Sequence, residues 1–317
     1  MNLLITGAWQ SVHKNISVLE LLGYKIAFMQ QEKENLPCDA EWVEGVICNG
    51  LFLYHKIEKF KNLRYIQLTS AGFDRVPMDY VKEHDIEIHN ARGVYSIPMA
   101  EFAVAGVLQI YKQSHFFYEN QKGHKWEKHR GLLELSGNSV CIVGCGSVGT
   151  ECAKRFKAFD CQIIGIDLIP REDIYYDQIL GIDKLEEVLP NTDVLVLTLP
   201  LTDETTHLID SNMLDRLKER AVLVNIARGA IIDADALIKC LDRLGGVVLD
   251  VFEEEPLNRN SLLWDKENVF VTPHNSFIGN RNQERLSELI ISNLRRSIKI
   301  LSSYNPSHCI YKPWCCD

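Results

Sequence analysis

Ser139-Val140-Cys141-Ile142-Val143-Gly144-Cys145-Gly146-Ser147-Val148-Gly149, residues 139–149, is the stretch that decides how the chain is read. Its first half is a short apolar run of the kind that forms a buried strand. Its second half carries three glycines in the pattern G-x-G-x-x-G, at a strand-to-helix junction. Gly144 permits the tight turn, Gly146 lets the backbone approach a ligand, and Gly149 allows the helix to pack closely on the strand. The N–H groups of a helix start suit an anion, so Ser147 and Val148 join the glycines as candidates to hold a pyrophosphate. Asp167 ends the next apolar run, eighteen positions beyond Gly149. That is near the spacing expected of a carboxylate that binds a ribose 2′-hydroxyl. It would repel a 2′-phosphate, although Arg171 lies close by.

Working outward, the same alternation recurs on both sides. Before the glycine loop, apolar runs at Asn2–Ile5, Lys25–Met29, Gly45–Cys48, Tyr65–Leu68 and Ile86–His89 read as strands, with a helix over Ser17–Leu22. After it, strands are predicted at Gln162–Asp167, Val194–Leu197, Ala221–Asn225, Gly246–Asp250 and Val269–Thr272. Helical patterns separate them, which argues for parallel sheets with crossover helices. A long helix is expected over Ile97–Ser114, with Pro98 in its first turn where a missing N–H does no harm. The stretch from His115 to Arg130 reads as polar with scattered aromatics. A last helix spans roughly Asn282–Leu301. The fold class is therefore α/β, two doubly wound parallel-sheet domains. The first is expected to comprise residues 1–97 and 282–317, with the final helix returning to it, and the second residues 98–281.

The 317 residues are too many for one ordinary core. Apolar residues at 46% and charged residues at 24% are ordinary for a globular chain. A formal net charge of −9 argues against nucleic acid as a partner. No run of about 18 apolar residues marks a membrane span, and the N-terminus lacks the basic start and long apolar stretch of a secretory signal. The ten cysteines are scattered, so reduced thiols and a cytoplasmic location are expected. Cys141 and Cys145 read as buried in strand and turn. Cys309, Cys315 and Cys316, with His308, fit no zinc spacing, and no metal is expected.

Three later segments point to chemistry. Asn225-Ile226-Ala227-Arg228-Gly229, Asp250-Val251-Phe252-Glu253-Glu254-Glu255-Pro256 and Thr272-Pro273-His274 each follow a predicted strand. That is the end at which open α/β sheets bind ligands. In this order they resemble the signature of the D-isomer-specific 2-hydroxyacid dehydrogenases: an Arg in N-x-A-R-G, a Glu before Pro in D-V-F-x-x-E-P, and a His in a P-H turn. Further likenesses are Thr198-Leu199-Pro200-Leu201-Thr202 with Thr205, Thr206 and Leu208; Met99-Ala100-Glu101 in the long helix; Trp126; and Glu134-Leu135-x-Gly137. Ser70-Ala71-Gly72-Phe73-Asp74 is similar to the family's substrate-carboxylate turn. The resemblance covers most of the chain.

The resemblance implies a Rossmann domain that binds NAD and a flavodoxin-like domain that binds substrate. The reaction implied is hydride exchange between NAD and a small 2-keto or 2-hydroxy acid. Arg228, Glu255 and His274 become the catalytic candidates. An imidazolium can give a proton to a ketone oxygen near neutral pH, a carboxylate beside it favours the charged form and orients the ring, and a guanidinium can clamp a 2-keto acid at two points. Cofactor contacts extend to Leu199, Pro200, Thr205, Ile226, Ala227, Arg228, Asp250 and His274. Substrate contacts are Ser70, Ala71, Gly72, Arg228 and His274. Glu253 and Glu254 read as plain surface charge. A homodimer is implied through the helix from Pro98 and the arm through Trp126, with Gln109, Phe116, Phe117 and Tyr118. The alternative function is an NAD(H)-sensing scaffold of the same family that binds proteins. After His274, Asn275-Ser276-Phe277-Ile278-Gly279 departs from the family's run of small residues, so the pocket is expected to differ there. Phe52, Tyr95 and Phe277 read equally well as pocket or as core.

Overall fold

Parallel pairing throughout organises the chain, and a computed structural model describes residues 1–303 of it. They divide into two units, one of residues 1–94 together with the chain from Asn280, the other of Tyr95–Gly279. The first unit holds β1 (Asn2–Thr6), α1 (Ile16–Leu21), β2 (Lys25–Met29), β3 (Gly45–Cys48), β4 (Tyr65–Leu68), α2 (Met78–Glu83) and β5 (Glu87–His89). Its five strands lie in the order β2-β1-β3-β4-β5, the flavodoxin-like arrangement.

The second unit begins with α3 (Ser96–Tyr111) and α4 (Ser114–Lys122). It continues through β6 (Ser139–Val143), α5 (Ser147–Lys157), β7 (Gln162–Asp167), β8 (Gln178–Gly181), α6 (Leu185–Val188), β9 (Val194–Leu197), α7 (Ser211–Arg216), β10 (Val222–Asn225), α8 (Ala234–Cys240), β11 (Gly246–Leu249) and β12 (Val269–Val271). The strand order β12-β11-β10-β9-β6-β7-β8 reverses direction between β6 and β9. Ligands of doubly wound sheets bind at such a reversal, beyond the carboxyl ends of the strands.

These strands read as unbroken apolar runs because both faces are buried. Their side chains alternate between two cores. Val194 and Val196 of β9 join Val140, Ile142, Val222, Val224 and Val248 on one face, while Leu195, Leu197, Leu223 and Leu249 lie on the other. The β-branched face meets Ala100, Ala103, Val107, Cys152 and Ala153. Small helix residues and compact strand residues together let α3 and α5 approach the sheet closely.

The last helix, α9 (Asn282–Ser303), belongs to the first unit. Leu286, Ile290 and Leu294 repeat at helical spacing and are buried. Three of its polar side chains are matched: Ser287 Oγ accepts from Trp9 Nε1 at 2.9 Å, Asn293 Nδ2 donates to Gln67 Oε1 at 2.8 Å, and Ser297 Oγ donates to Glu87. Hydrogen bonds from His89 and Ser297 hold the Glu87 carboxyl below its ordinary value.

Three expectations need correction. The helix expected over Ile97–Ser114 stops at Tyr111, because Gln113 adopts a left-handed backbone with φ 52°. The polar stretch beyond it contains α4, which has no apolar stripe to announce it. Strand β8 has no signal in the sequence, because Gln-Ile-Leu-Gly at a sheet edge is too short to show a period.

Candidate active site

The glycine loop sits where β6 meets α5, and its three glycines do three different things. Gly144 has φ +94°, and a Cβ there would lie 2.6 Å from Leu199 N. A Cβ on Gly149 would lie 2.1 Å from Gly144 O. Both positions are closed by the protein's own packing. A Cβ on Gly146 would meet nothing within 4 Å, so its bareness serves the space in front of the loop. That open cradle at the start of an 11-residue helix fits the pyrophosphate of a dinucleotide. Thr198, just past β9, donates to Gly144 O at 2.6 Å and ties the two sides of the strand reversal together.

Asp167 stands at the end of β7 as expected. Its carboxylate accepts from Cys145 N at 3.0 Å, from Leu168 N at 2.7 Å and from Arg171 Nη1 at 3.2 Å. Arg171 also donates to Cys145 O. The acid is thus held against the loop, with a guanidinium on its outer side. Leu199, Ile226 and Ala227 are buried, so what they offer a ligand comes from their main chain. Thr205 Oγ1 donates to Pro200 O at 2.8 Å and shapes the loop after β9.

Arg228 follows β10. The buried Asn225 side chain spans the turn, donating to Arg228 O at 2.9 Å and accepting from Ala227 N at 3.1 Å. Arg228 is exposed, with Nη1 donating to Ala227 O at 2.7 Å. A Cβ on Gly229 would sit 1.8 Å from Phe252 C. Only glycine lets this turn lie against the segment that carries Glu255.

Glu255 and His274 meet. Glu255 Oε1 accepts from Phe252 N at 3.1 Å, and its Oε2 lies 2.9 Å from His274 Nδ1. Both side chains are partly open, at 42% for the histidine and 38% for the glutamate. His274 has φ 51°, a left-handed backbone that costs a non-glycine residue about 1 kcal/mol. Asp250 holds that conformation. Its backbone O accepts from His274 N at 2.7 Å, and its carboxylate accepts from Thr272 Oγ1 at 2.6 Å, Asn275 N at 2.7 Å and Ser276 N at 2.9 Å.

Asp250, a candidate cofactor contact, is buried, and its side chain is held by the loop that follows β12. Three donors satisfy it where an unpaired carboxylate would be prohibitive. Glu253 was read as plain surface charge. It pairs with His207 Nε2 at 3.1 Å and accepts from Ala234 N at 3.2 Å. Neither role has a sequence signal, since the partners lie 19 to 46 positions away.

Ser70, Ala71 and Gly72 lie in the first unit, in a turn closed by Ser70 Oγ donating to Gly72 O at 3.1 Å. Asn90 Nδ2 donates to Ala71 O at 2.6 Å and pins it from beneath. Among the described residues no group of His, Cys, Asp and Glu could hold a metal ion. His308, Cys309, Cys315 and Cys316 lie outside those residues.

Residues 104–276 match a family described as D-isomer specific 2-hydroxyacid dehydrogenase, NAD binding domain. The chain belongs to the D-isomer specific 2-hydroxyacid dehydrogenases. This member is an NAD-dependent dehydrogenase, and its larger unit is the family's NAD-binding domain. It is 30% identical to an (S)-sulfolactate dehydrogenase of Chromohalobacter salexigens over 77% of this chain and 80% of that protein. It is 33% identical to a glyoxylate/hydroxypyruvate reductase A of Arabidopsis thaliana over 75% and 76%. A family protein from Aeromonas salmonicida superposes with a TM-score of 0.81 at 29% identity, covering 94% of this chain and 95% of that one. No helix among the described residues of this dehydrogenase is long and apolar enough to cross a membrane.

Proposed function

We propose that this dehydrogenase interconverts a small 2-keto acid and the corresponding D-2-hydroxy acid, with His274 as acid and base. The observation that carries the reading is the 2.9 Å contact of His274 Nδ1 with Glu255, on an exposed turn at the ligand end of the sheet. With Nδ1 engaged, Nε2 is the nitrogen that meets the substrate. In reduction the imidazolium gives the ketone oxygen its proton, and in oxidation the neutral ring takes the proton from the hydroxyl. Glu255 fixes the ring and stabilises its charged form. Arg228 clamps the carboxylate and the carbonyl oxygen together, and the N–H groups of Ser70, Ala71 and Gly72 offer donors to a substrate carboxylate.

NAD, when bound, supplies or accepts the hydride. Gly144, Gly146, Ser147, Val148 and Gly149 hold its pyrophosphate, and Asp167 holds the adenosine ribose, favouring NAD over NADP. Leu199, Pro200, Thr205, Ile226 and Ala227 line the remainder. Residues 98–281 thereby carry the cofactor. Residues 1–97 and 282–317 serve the substrate. The names of the relatives, which act on sulfolactate, glyoxylate and hydroxypyruvate, all fit small acids of this class.

The protein is further proposed to be a cytoplasmic homodimer. Five buried free cysteines suit a reducing compartment. Trp126 is 98% exposed and Tyr118 58%, beside an open hollow of about 880 Å³ lined by Phe117, Asn120, Gln121 and His124. Aromatics so displayed suit a protein interface.

The test is NADH oxidation, followed by absorbance, against a set of 2-keto acids. Turnover is expected on at least one, and His274→Ala should lower kcat about 100- to 10,000-fold with thermal stability retained. A folded His274→Ala protein with wild-type kcat would falsify the assignment.

A further inference from the structure

We infer that Glu253 is a positioning residue, and that its contact with His207 braces the three loops that carry the groups of the proposed reaction. The inference rests on that reaction and adds the part that aims it.

Strands β9, β10 and β11 are neighbours in the sheet and run parallel. Their carboxyl ends therefore release three loops side by side. The first holds Thr205 and His207, the second Arg228 and Gly229, and the third Glu253 and Glu255. All belong to the second unit. The first two loops are joined through the main chain. His207 N donates to Ala230 O at 2.8 Å, Ile209 N to Ile231 O at 3.0 Å, and Asp233 N to Ile209 O at 3.1 Å. The third loop lies flush on Gly229, where a Cβ would meet Phe252 O at 2.2 Å and Glu253 N at 2.3 Å. Packing sets how closely it approaches, and hydrogen bonds set where along the neighbouring loops it stops.

Glu253 makes those bonds. Its Oε1 lies 3.1 Å from His207 Nε2 and 3.2 Å from Ala234 N, at the start of α8. One oxygen thus reaches both neighbouring loops. Facing a carboxylate, His207 Nε2 carries a proton and donates it, whether the ring is neutral or charged. His207 has φ 52°. A strained backbone of this kind persists where contacts on both sides hold it, and it clusters at working sites.

Stability is not the purpose of the pair. The side chains are 46% and 37% exposed, so their attraction adds little to the fold. What they add is aim. Glu253 sits inside the turn in which Phe252 N donates to Glu255 Oε1 at 3.1 Å. Moving Glu253 moves that turn, and with it the carboxylate that lies 2.9 Å from His274 Nδ1. The turn of Arg228 rests on the same segment through Gly229. A shift of about 1 Å in such a constellation costs up to about 100-fold in rate. The glycine loop and Asp167 lie past β6 and β7, outside the three braced loops, so the hold on NADH changes less.

The experiment uses the full-length protein with NADH and glyoxylate, hydroxypyruvate, pyruvate or phenylpyruvate, whichever the wild type turns over fastest. Glu253→Ala is expected to lower kcat about tenfold or more. KM for NADH should move less than about threefold. NADH carrying deuterium at both C4 positions should show a larger isotope effect on kcat than with the wild type, because the hydride step itself has slowed. His207→Ala should act in the same direction, and the double variant should fall no more than about twofold below Glu253→Ala, since both remove one contact. His207→Gln, which keeps a side-chain N–H donor, should recover most of the loss. Glu254→Ala, an exposed neighbour of the same charge, should match the wild type within about twofold. Thermal melts show that each variant is folded. A folded Glu253→Ala protein with wild-type kcat overturns the inference and leaves the reaction standing. So do single losses that multiply in the double variant, an equal loss in Glu254→Ala, or a fall in kcat with an unchanged isotope effect. No turnover of any of the four acids by the wild type, with NADH still bound, overturns both.

Discussion

Asp250 shows how one buried side chain sets up another. Its carboxylate gathers Thr272 Oγ1, Asn275 N and Ser276 N, and its backbone oxygen takes His274 N. The four contacts hold the left-handed turn that puts the imidazole 2.9 Å from Glu255. Asp250→Ala would leave three donors without their acceptor, the buried Ser276 N among them. A loss of at least about 3 kcal/mol of stability is expected. Chemical denaturation checks it, and kcat should fall further than the stability loss explains. The residue types of Arg228, Glu255 and His274 were legible from their motifs, because each stands next to a telling local companion: Gly229, Pro256 and Pro273. Asp250 was legible as an acid at a strand end, and its hold on the loop after Thr272 was not. Nothing in a linear string says whether an acid at a strand end faces a ligand or faces the loop from the next strand.

At the scale of elements, the glycine loop separates two kinds of glycine. Gly149 is closed by Gly144 O, whereas Gly146 faces open space. Gly149→Ala is therefore expected to lower Tm by several degrees, as overpacking costs about 1–3 kcal/mol. Gly146→Ala should leave the Tm of the cofactor-free protein within about 2 °C, since its backbone at φ −74° suits alanine. It should weaken NADH binding about tenfold or more, because the added methyl occupies the approach to the loop. Fluorescence titration and thermal melts read the two effects separately, and equal Tm losses in both variants would contradict the division. Strands were easy to read here because a parallel strand covered on both faces is an unbroken apolar run, as Val194–Leu197 is. Helix α4 was not, because Ser114–Lys122 has a single buried residue, Asn120. Its helicity is a matter of where Gln113 turns the chain.

At the scale of the whole molecule, the exposed aromatics of α4 and Trp126 carry the proposed dimer. Gel filtration at two concentrations is expected to give a species near twice the 36.2 kDa chain mass. Trp126→Ala should shift the equilibrium toward monomer at the lower concentration. A chain-mass species at both concentrations for the wild type would end that proposal. What the sequence determined by itself was the α/β class, nearly every strand, the phosphate loop and the three residues of the candidate site. These are local signals: apolar runs, glycine spacing and short motifs past strand ends, each spanning about a dozen residues or fewer. What only the tertiary structure decided was partnership across the sheet. Glu255 found His274 nineteen positions on, Asp250 found Ser276, Glu253 found His207, and Phe277 came to lie between His274 and Tyr95. Strand order, not sequence distance, sets those neighbours, because parallel pairing brings the carboxyl ends of separate strands to one edge.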